Sequence, residues 1–158
     1  MKTPVRSATL AILAIAISAM AALDTARAAA PGPSSPLGLW KTIDDKTGNA
    51  RAIVRIYEQD GKLFGRIERS FTPGAENRVC EVCTDARKGQ PIIGLVIIRN
   101  IQSKDGEYTG GDILDPETGT VYRCKFHLDQ NGTHLIVRGY IGISLLGRSQ
   151  VWQRQNSP

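Results

Sequence analysis

Three dipeptides, Asp60-Gly61, Asp105-Gly106 and Asn131-Gly132, constrain this chain more than any other feature. Each joins a residue that tolerates positive φ to a glycine, the combination a tight β-hairpin requires. Further turn-type clusters at Asp44–Asn49 and Asp115–Gly119 cut the sequence from Leu37 onward into short runs of strand character. The spacing predicts eight strands, at 38–43, 50–58, 62–71, 92–101, 107–114, 119–128, 133–140 and 148–154. Several alternate with the two-residue period of a half-buried strand. In the sixth, Tyr122, Cys124, Phe126 and Leu128 share one face and Arg123, Lys125 and His127 the other; in the second, Ala52, Val54 and Ile56 oppose Arg51, Ile53, Arg55 and Tyr57. The fourth, PIIGLVIIRNI, is apolar on both faces, so its outer side should be covered. Short helical pieces have room only at 72–90 and 140–147.

Eight strands joined mostly by tight turns must dispose of their edges. Closure into an all-β, antiparallel up-and-down barrel is the expected solution; a two-sheet sandwich, which usually needs longer crossovers, is the alternative. A barrel of this strand number is just wide enough for packed side chains or for one small ligand.

The domain has clear limits. Lys2 and Arg6, the apolar run Leu10–Leu23 and the small-x-small site Ala26-Arg27-Ala28 have the three-part form of a secretory signal. Residues 1–28 are therefore expected to be a signal peptide cleaved near Ala28, residues 29–36 (AAPGPSSP) a flexible linker, and residues 37–155 a single β-barrel domain. The apolar run falls short of the roughly 18 residues that cross a bilayer. The mature protein should thus be periplasmic or secreted and carry no membrane span; a retained anchor is the alternative.

Removing residues 1–28 takes away Lys2, Arg6, Arg27 and Asp24, which lowers the net charge from +5 to +3. Basic residues are spread singly, with Arg87-Lys88 the only adjacent pair in the expected domain and no interleaved aromatics. That distribution reads as a solvated surface rather than a nucleic-acid footprint.

No catalytic constellation is apparent. His127 points to water by strand parity, His134 follows the Asn131-Gly132 turn, and neither a nucleophile elbow nor a phosphate loop is present. Asp112, Asp115 and Glu117 cluster near one turn, but an Asp-Pro-x-x-Gly turn accounts for Asp115 without a cation. No cofactor is called for.

Cys80 and Cys83, in RVCEVC, can be a redox couple, half a metal site or a staple. Zinc needs two further ligands, and Cys124 and His127 lie three apart on one strand and so face opposite sides. A redox pair is expected at the start of a helix in a βαβ setting, which is absent. Two thiols so close in an oxidising compartment should pair, clasping the long 72–90 connection. Cys124 reads as a buried free thiol.

Trp40 opens the first strand and Val151-Trp152-Gln153-Arg154 closes the last. In a closed barrel these strands are neighbours, so an arginine from the last strand can stack on Trp40 and seal one end through Trp40, Trp152 and Arg154. Two core tryptophans without mutual contact are the equal alternative.

Several short motifs occur together: Gly38-x-Trp40, the Cys80/Cys83 pair, Pro91–Leu95, the Gly111–Gly119 segment followed by Tyr122, Arg138–Gly142 and Gln150–Arg154. In this order, over nearly all of residues 38–154, they resemble the family catalogued as domain of unknown function 2147. The resemblance implies an exported bacterial protein with a lipocalin-like β-barrel and an internal ligand cavity. It implies no established reaction, so it supplies no catalytic residues. The G-x-W start is similar to true lipocalins as well, although a T-D-x-R-like second motif is missing.

The expectation is therefore a non-enzymatic, lipocalin-like barrel that binds a small apolar or amphipathic ligand among Trp40, Val54, Ile56, Tyr122, Phe126 and Tyr140. The alternatives are a filled barrel acting as an envelope interaction module with a protein partner, and a thiol-redox or zinc protein.

Overall fold

A computed structural model describes residues 34–156. The expected signal peptide and most of the expected linker lie outside these residues. Eight strands follow one another: β1 (Gly38–Ile43), β2 (Ala50–Gln59), β3 (Lys62–Ser70), β4 (Val96–Lys104), β5 (Glu107–Leu114), β6 (Val121–Leu128), β7 (His134–Tyr140) and β8 (Arg148–Gln155). Each pairs antiparallel with the next, and β8 returns to β1 through Leu39↔Gln155, Trp40↔Arg154 and Lys41↔Gln153. The result is a closed up-and-down barrel rather than a sandwich, so every strand edge is paired.

Two of the three dipeptides make the turn they promise. Asp60 (φ 51°) with Gly61 (φ 71°), and Asp105 (φ 52°) with Gly106 (φ 81°), put both central residues at positive φ in two-residue hairpins. Asn131-Gly132 does not: only Gly132 is at positive φ, and a five-residue connection runs from Asp129 to Thr133. Asp129 organises it instead, its carboxylate accepting from the backbone N–H of Thr133 (2.8 Å) and of His134 (3.1 Å).

The fourth strand differs most from expectation. It begins at Val96, not at residue 92, and Ile92–Leu95 belong to the preceding connection. Gly94, at φ 92°, donates to the Ile67 carbonyl, and Ile67 donates to that of Leu95, so this segment docks on β3 without joining the ladder. The register then slips between Gly65↔Ile98 and Arg66↔Val96, leaving Ile97 as the extra residue of a bulge. Ile97 and Ile98 are consequently both buried. Gly65 eases this approach: a Cβ there would lie 3.0 Å from the Ile98 side chain, which would have to shift to admit it.

The outer side of β4 is covered, as its apolar pattern demands, but by charge. Arg87 of the β3–β4 connection lies across it with its side chain only 4% exposed. Its guanidinium donates to Asp85 (2.7 and 3.1 Å) and to the Val96 carbonyl (3.3 Å), while Arg99 donates to Asp85 (3.3 Å) and Asp112 (3.2 Å). The Arg87 side chain beside it holds the Asp85 carboxyl well below its usual value, at about 2. Arg87 is thus a buried strut and not part of a solvated basic pair. A guanidinium can be removed from water this way because its donors fork onto several acceptors at once.

Candidate functional site

The up-and-down order sends alternate connections to opposite ends of the barrel. One end carries the two-residue turns, the Asp129–Thr133 connection, the start of β1 and the end of β8. The other carries the four longer connections, 44–49, 71–95, 115–120 and 141–147.

The turn end is plugged. Trp40 is fully buried, its indole N–H donates to the Pro36 carbonyl (2.8 Å), and the Arg154 guanidinium lies 4.3 Å from the centre of its ring. Arg154 also donates to the carbonyls of Gly132 (2.6 Å), Ser35 (2.6 Å) and Leu37 (3.1 Å), so one side chain joins the first strand, the last strand and the β6–β7 connection. Ser35 and Pro36, linker by composition, are in this way part of the fold, and Pro36 is buried. Ile56, Phe126 and Trp152 pack above this plug, with Phe126 stacked on Tyr108 at 5.3 Å between ring centres. Buried side chains of this size contribute roughly 1.5–3 kcal/mol each.

The other end is hollow. A cavity of about 400 Å³ opens among the longer connections, with Trp152 at its floor and Val54, Ile67, Ile97, Ile113 and Tyr122 on its walls. Space remains where the inward positions are small: Ala52 and Gly139 line the cavity, whereas Ile56 and Leu135 fill inward positions further along the same two strands. A Cβ on Gly139 would touch only Tyr122 and Ile113, at 3.4 and 3.6 Å.

Of the six lining candidates, the structure brings Val54, Tyr122 and Tyr140 to the cavity. Trp40, Ile56 and Phe126 are not among its lining residues and belong to the packed half. Tyr140 is paired with the exposed Arg123, so its register is that of the outer face, and it meets the cavity at the mouth. The positions that residue reading missed, such as Ile97 and Ile113, are ordinary aliphatics whose role depends on the β4 bulge and on ladder register.

Part of the mouth is charged, with most of its charges paired. Arg51 bridges Glu117 and Asp44, the latter at 3.5 Å, and Arg148 bridges Asp45. Arg78, also at the mouth, has no carboxylate within bridging distance among the described residues. Thr72, Ala75, Arg78 and Ile92 line one side from the β3–β4 connection, which also carries the disulfide. Cys80 and Cys83 are bonded, both are buried, and Val79 bridges Pro91 to draw the segment into a short hairpin. Its tip seats on the β5–β6 connection at Gly119, where φ is 74° and a Cβ would fall 2.1 Å from the Val82 carbonyl oxygen. Only glycine permits that approach.

The other reactive groups are placed apart. Cys124 is a buried free thiol whose pKa burial pushes up to about 12, with the Asp112 carboxylate adding to the effect. His127 is exposed on the outer face, and His134 sits beside Asp129 with its Nδ1 3.0 Å from the carboxylate. Among the described residues no three His, Cys, Asp or Glu side chains gather as a metal site would need, and no helix is long and apolar enough to cross a membrane.

A closed eight-stranded meander, plugged at one end by a Trp–Arg pair and hollow at the other, defines a lipocalin-like barrel. Residues 38–154 match the family described as "Uncharacterized protein conserved in bacteria (DUF2147)", and the chain belongs to that family. Among solved structures it is similar to protein HP1028 from Helicobacter pylori, which is described as belonging to the lipocalin family. The two superpose with a TM-score of 0.67 at 16% identity, over 77% of this chain and 84% of that one. No curated protein matches.

Proposed function

We propose that this protein is an exported, non-enzymatic barrel of the bacterial envelope that holds one small apolar or amphipathic molecule in its upper half. The observation that carries this reading is the cavity of about 400 Å³ with a wall of aliphatic side chains, a volume within the range of about 300–1,000 Å³ that small-molecule sites occupy. Val54 and Tyr122 would contact the molecule along its length and Tyr140 at the mouth, where Arg78 is free to face an anionic head group. The filled-barrel alternative describes only the lower half.

Absence of catalysis is part of the proposal, and the dispersion of the reactive groups supports it. Both histidines stand outside the barrel, the Cys124 thiol resists ionisation, and Cys80 and Cys83 are bonded to each other and buried. Export to the periplasm with cleavage near Ala28 rests on the sequence, and the bonded cysteine pair is in keeping with an oxidising compartment.

Native mass spectrometry of the protein from an envelope extract tests both parts. The expected result is a chain beginning at Ala29, with one free thiol before reduction and three after it, that carries a non-covalent small-molecule adduct released on denaturation. A chain retaining Met1, or one free of any adduct that also fails to take up apolar probes, would contradict the reading.

A further inference from the structure

The β7–β8 connection is unlike the rest of the surface. In Ile141-Gly-Ile-Ser-Leu-Leu-Gly147 there is no charged residue, and Ile141, Ile143, Leu145 and Leu146 are 67%, 61%, 80% and 79% exposed. Four large aliphatic side chains held out together cost hydration free energy unless something covers them. Ile141 and Leu146 also line the mouth, so this apolar surface is continuous with the cavity wall.

Two further features say what covers it. The connection is braced from behind: the Arg138 guanidinium donates to the carbonyls of Ser144 (2.6 Å) and Leu145 (3.0 Å) and to the Ser149 hydroxyl (2.9 Å). With the Leu146 and Gly147 N–H groups bonded to Ile143 and Ser144, several polar groups of its backbone are already satisfied, which is what entry into hydrocarbon demands. The outer strand face at its root is basic. Arg123 pairs with Tyr140 and Lys125 with Arg138 across the β6–β7 ladder, and Arg148 follows the connection directly. Lys125 has Glu107 and Arg148 has Asp45, but among the described residues Arg138 contacts only neutral acceptors. Arg123 faces Asp112 across the β5–β6 ladder, and that carboxylate is held by Arg99 and Arg87. An apolar tip backed by uncompensated cations is complementary to an anionic bilayer, in which the tip reaches the acyl boundary and the guanidinium groups meet phosphates.

We propose that the β7–β8 connection docks the barrel on an anionic lipid surface with the cavity mouth against the bilayer. The docking stands on the connection itself; its use, loading the cavity from the lipid phase, rests on the function proposed above.

Cosedimentation with vesicles tests it, using residues 29–158, which contain the whole barrel and lack the apolar run at Leu10–Leu23. Wild type should bind phosphatidylcholine vesicles containing phosphatidylglycerol and bind phosphatidylcholine alone several-fold more weakly. The double variant Ile143→Ser/Leu145→Ser should lose at least about tenfold. Neither residue lines the cavity, so uptake of an apolar fluorescent probe in vesicle-free solution should be unchanged, and retained probe uptake also shows that the variant is folded. Arg123→Glu should weaken binding to the anionic vesicles alone. Absence of vesicle binding by wild type, or equal binding by the double variant, would overturn the proposal. So would a wild-type dimer in sedimentation that the double variant dissolves, which would assign the patch to a second copy of the chain. Failure of the cavity reading looks different: wild type would take up no probe, yet vesicle binding would remain.

Discussion

The two ends of this barrel share one sheet and differ in what the inward positions carry. At the turn end, Trp40, Phe126 and Trp152 fill the interior and Arg154 ties the last strand to Ser35 and Leu37 beside the first. Toward the other end, Ala52 and Gly139 are small and, with Val54 and Val137, which pair with Trp40 and Phe126 at the boundary, leave about 400 Å³ unfilled. The turn end is held by packing among neighbours in the barrel, whereas the open end is held by a long connection pinned from outside by Arg87 and seated on Gly119. The lesson is that stability and binding capacity are segregated along the barrel axis. Losses in the plug should therefore cost the whole fold, and losses in the strapping should cost the mouth first.

Trp40→Ala is the harshest test. It empties a fully buried site and leaves Arg154 without its ring, so urea unfolding should show a loss of about 3–5 kcal/mol. A loss below about 1 kcal/mol would mean that the plug is not the keystone. Arg87→Met should come next, at roughly 2–3 kcal/mol, because the Asp85 and Asp112 carboxylates lose a charged donor. Hydrogen exchange should then rise in residues 78–92 while β1 and β8 stay protected; uniform deprotection would erase the distinction between the two ends. Replacing both Cys80 and Cys83 with alanine should cost about 2 kcal/mol, the scale for closing so short a loop, again with exchange localised to that connection.

The smallest effect is in acid and touches both ends. Asp85 at the open end and Asp129 at the turn end both have folded pKa values lowered to about 2, chiefly by hydrogen bonds from Arg87 and His134 respectively. A carboxyl whose folded pKa lies below its unfolded value of 3.8 contributes stability in full above that value and loses it as pH falls through about 2. Melting temperature should therefore decline between about pH 4 and pH 2, and Asp85→Asn and Asp129→Asn should each flatten part of that decline. A profile unchanged in both variants would contradict the assigned bonds.

Much of the fold was legible because it rests on local signals. Asp60-Gly61 and Asp105-Gly106 encode their turns outright, and the alternation in β6 places Cys124 inside and His127 outside. The start of β4 was not legible, since a run that is apolar on both faces has no phase to read, and four of its residues are spent on the connection; Gly94 was the one available clue. Arg87 was hidden for a related reason: nothing in a basic pair says that a loop will fold back over β4. The site was half legible. Strand parity finds inward residues, and Trp40, Ile56 and Phe126 are indeed buried, but parity carries no information about height along the barrel axis, which separates plug from cavity.

The central claim, a hollow upper half above a solid lower one, is tested most directly by filling it. Val137 is buried on the cavity wall, and phenylalanine there would extend into the open volume. Titration of residues 29–158 with an apolar fluorescent probe should give saturable binding of one molecule per chain, and Val137→Phe should abolish it with the melting temperature kept or raised. Binding that persists unchanged in Val137→Phe, or no saturable binding by wild type, would contradict the account.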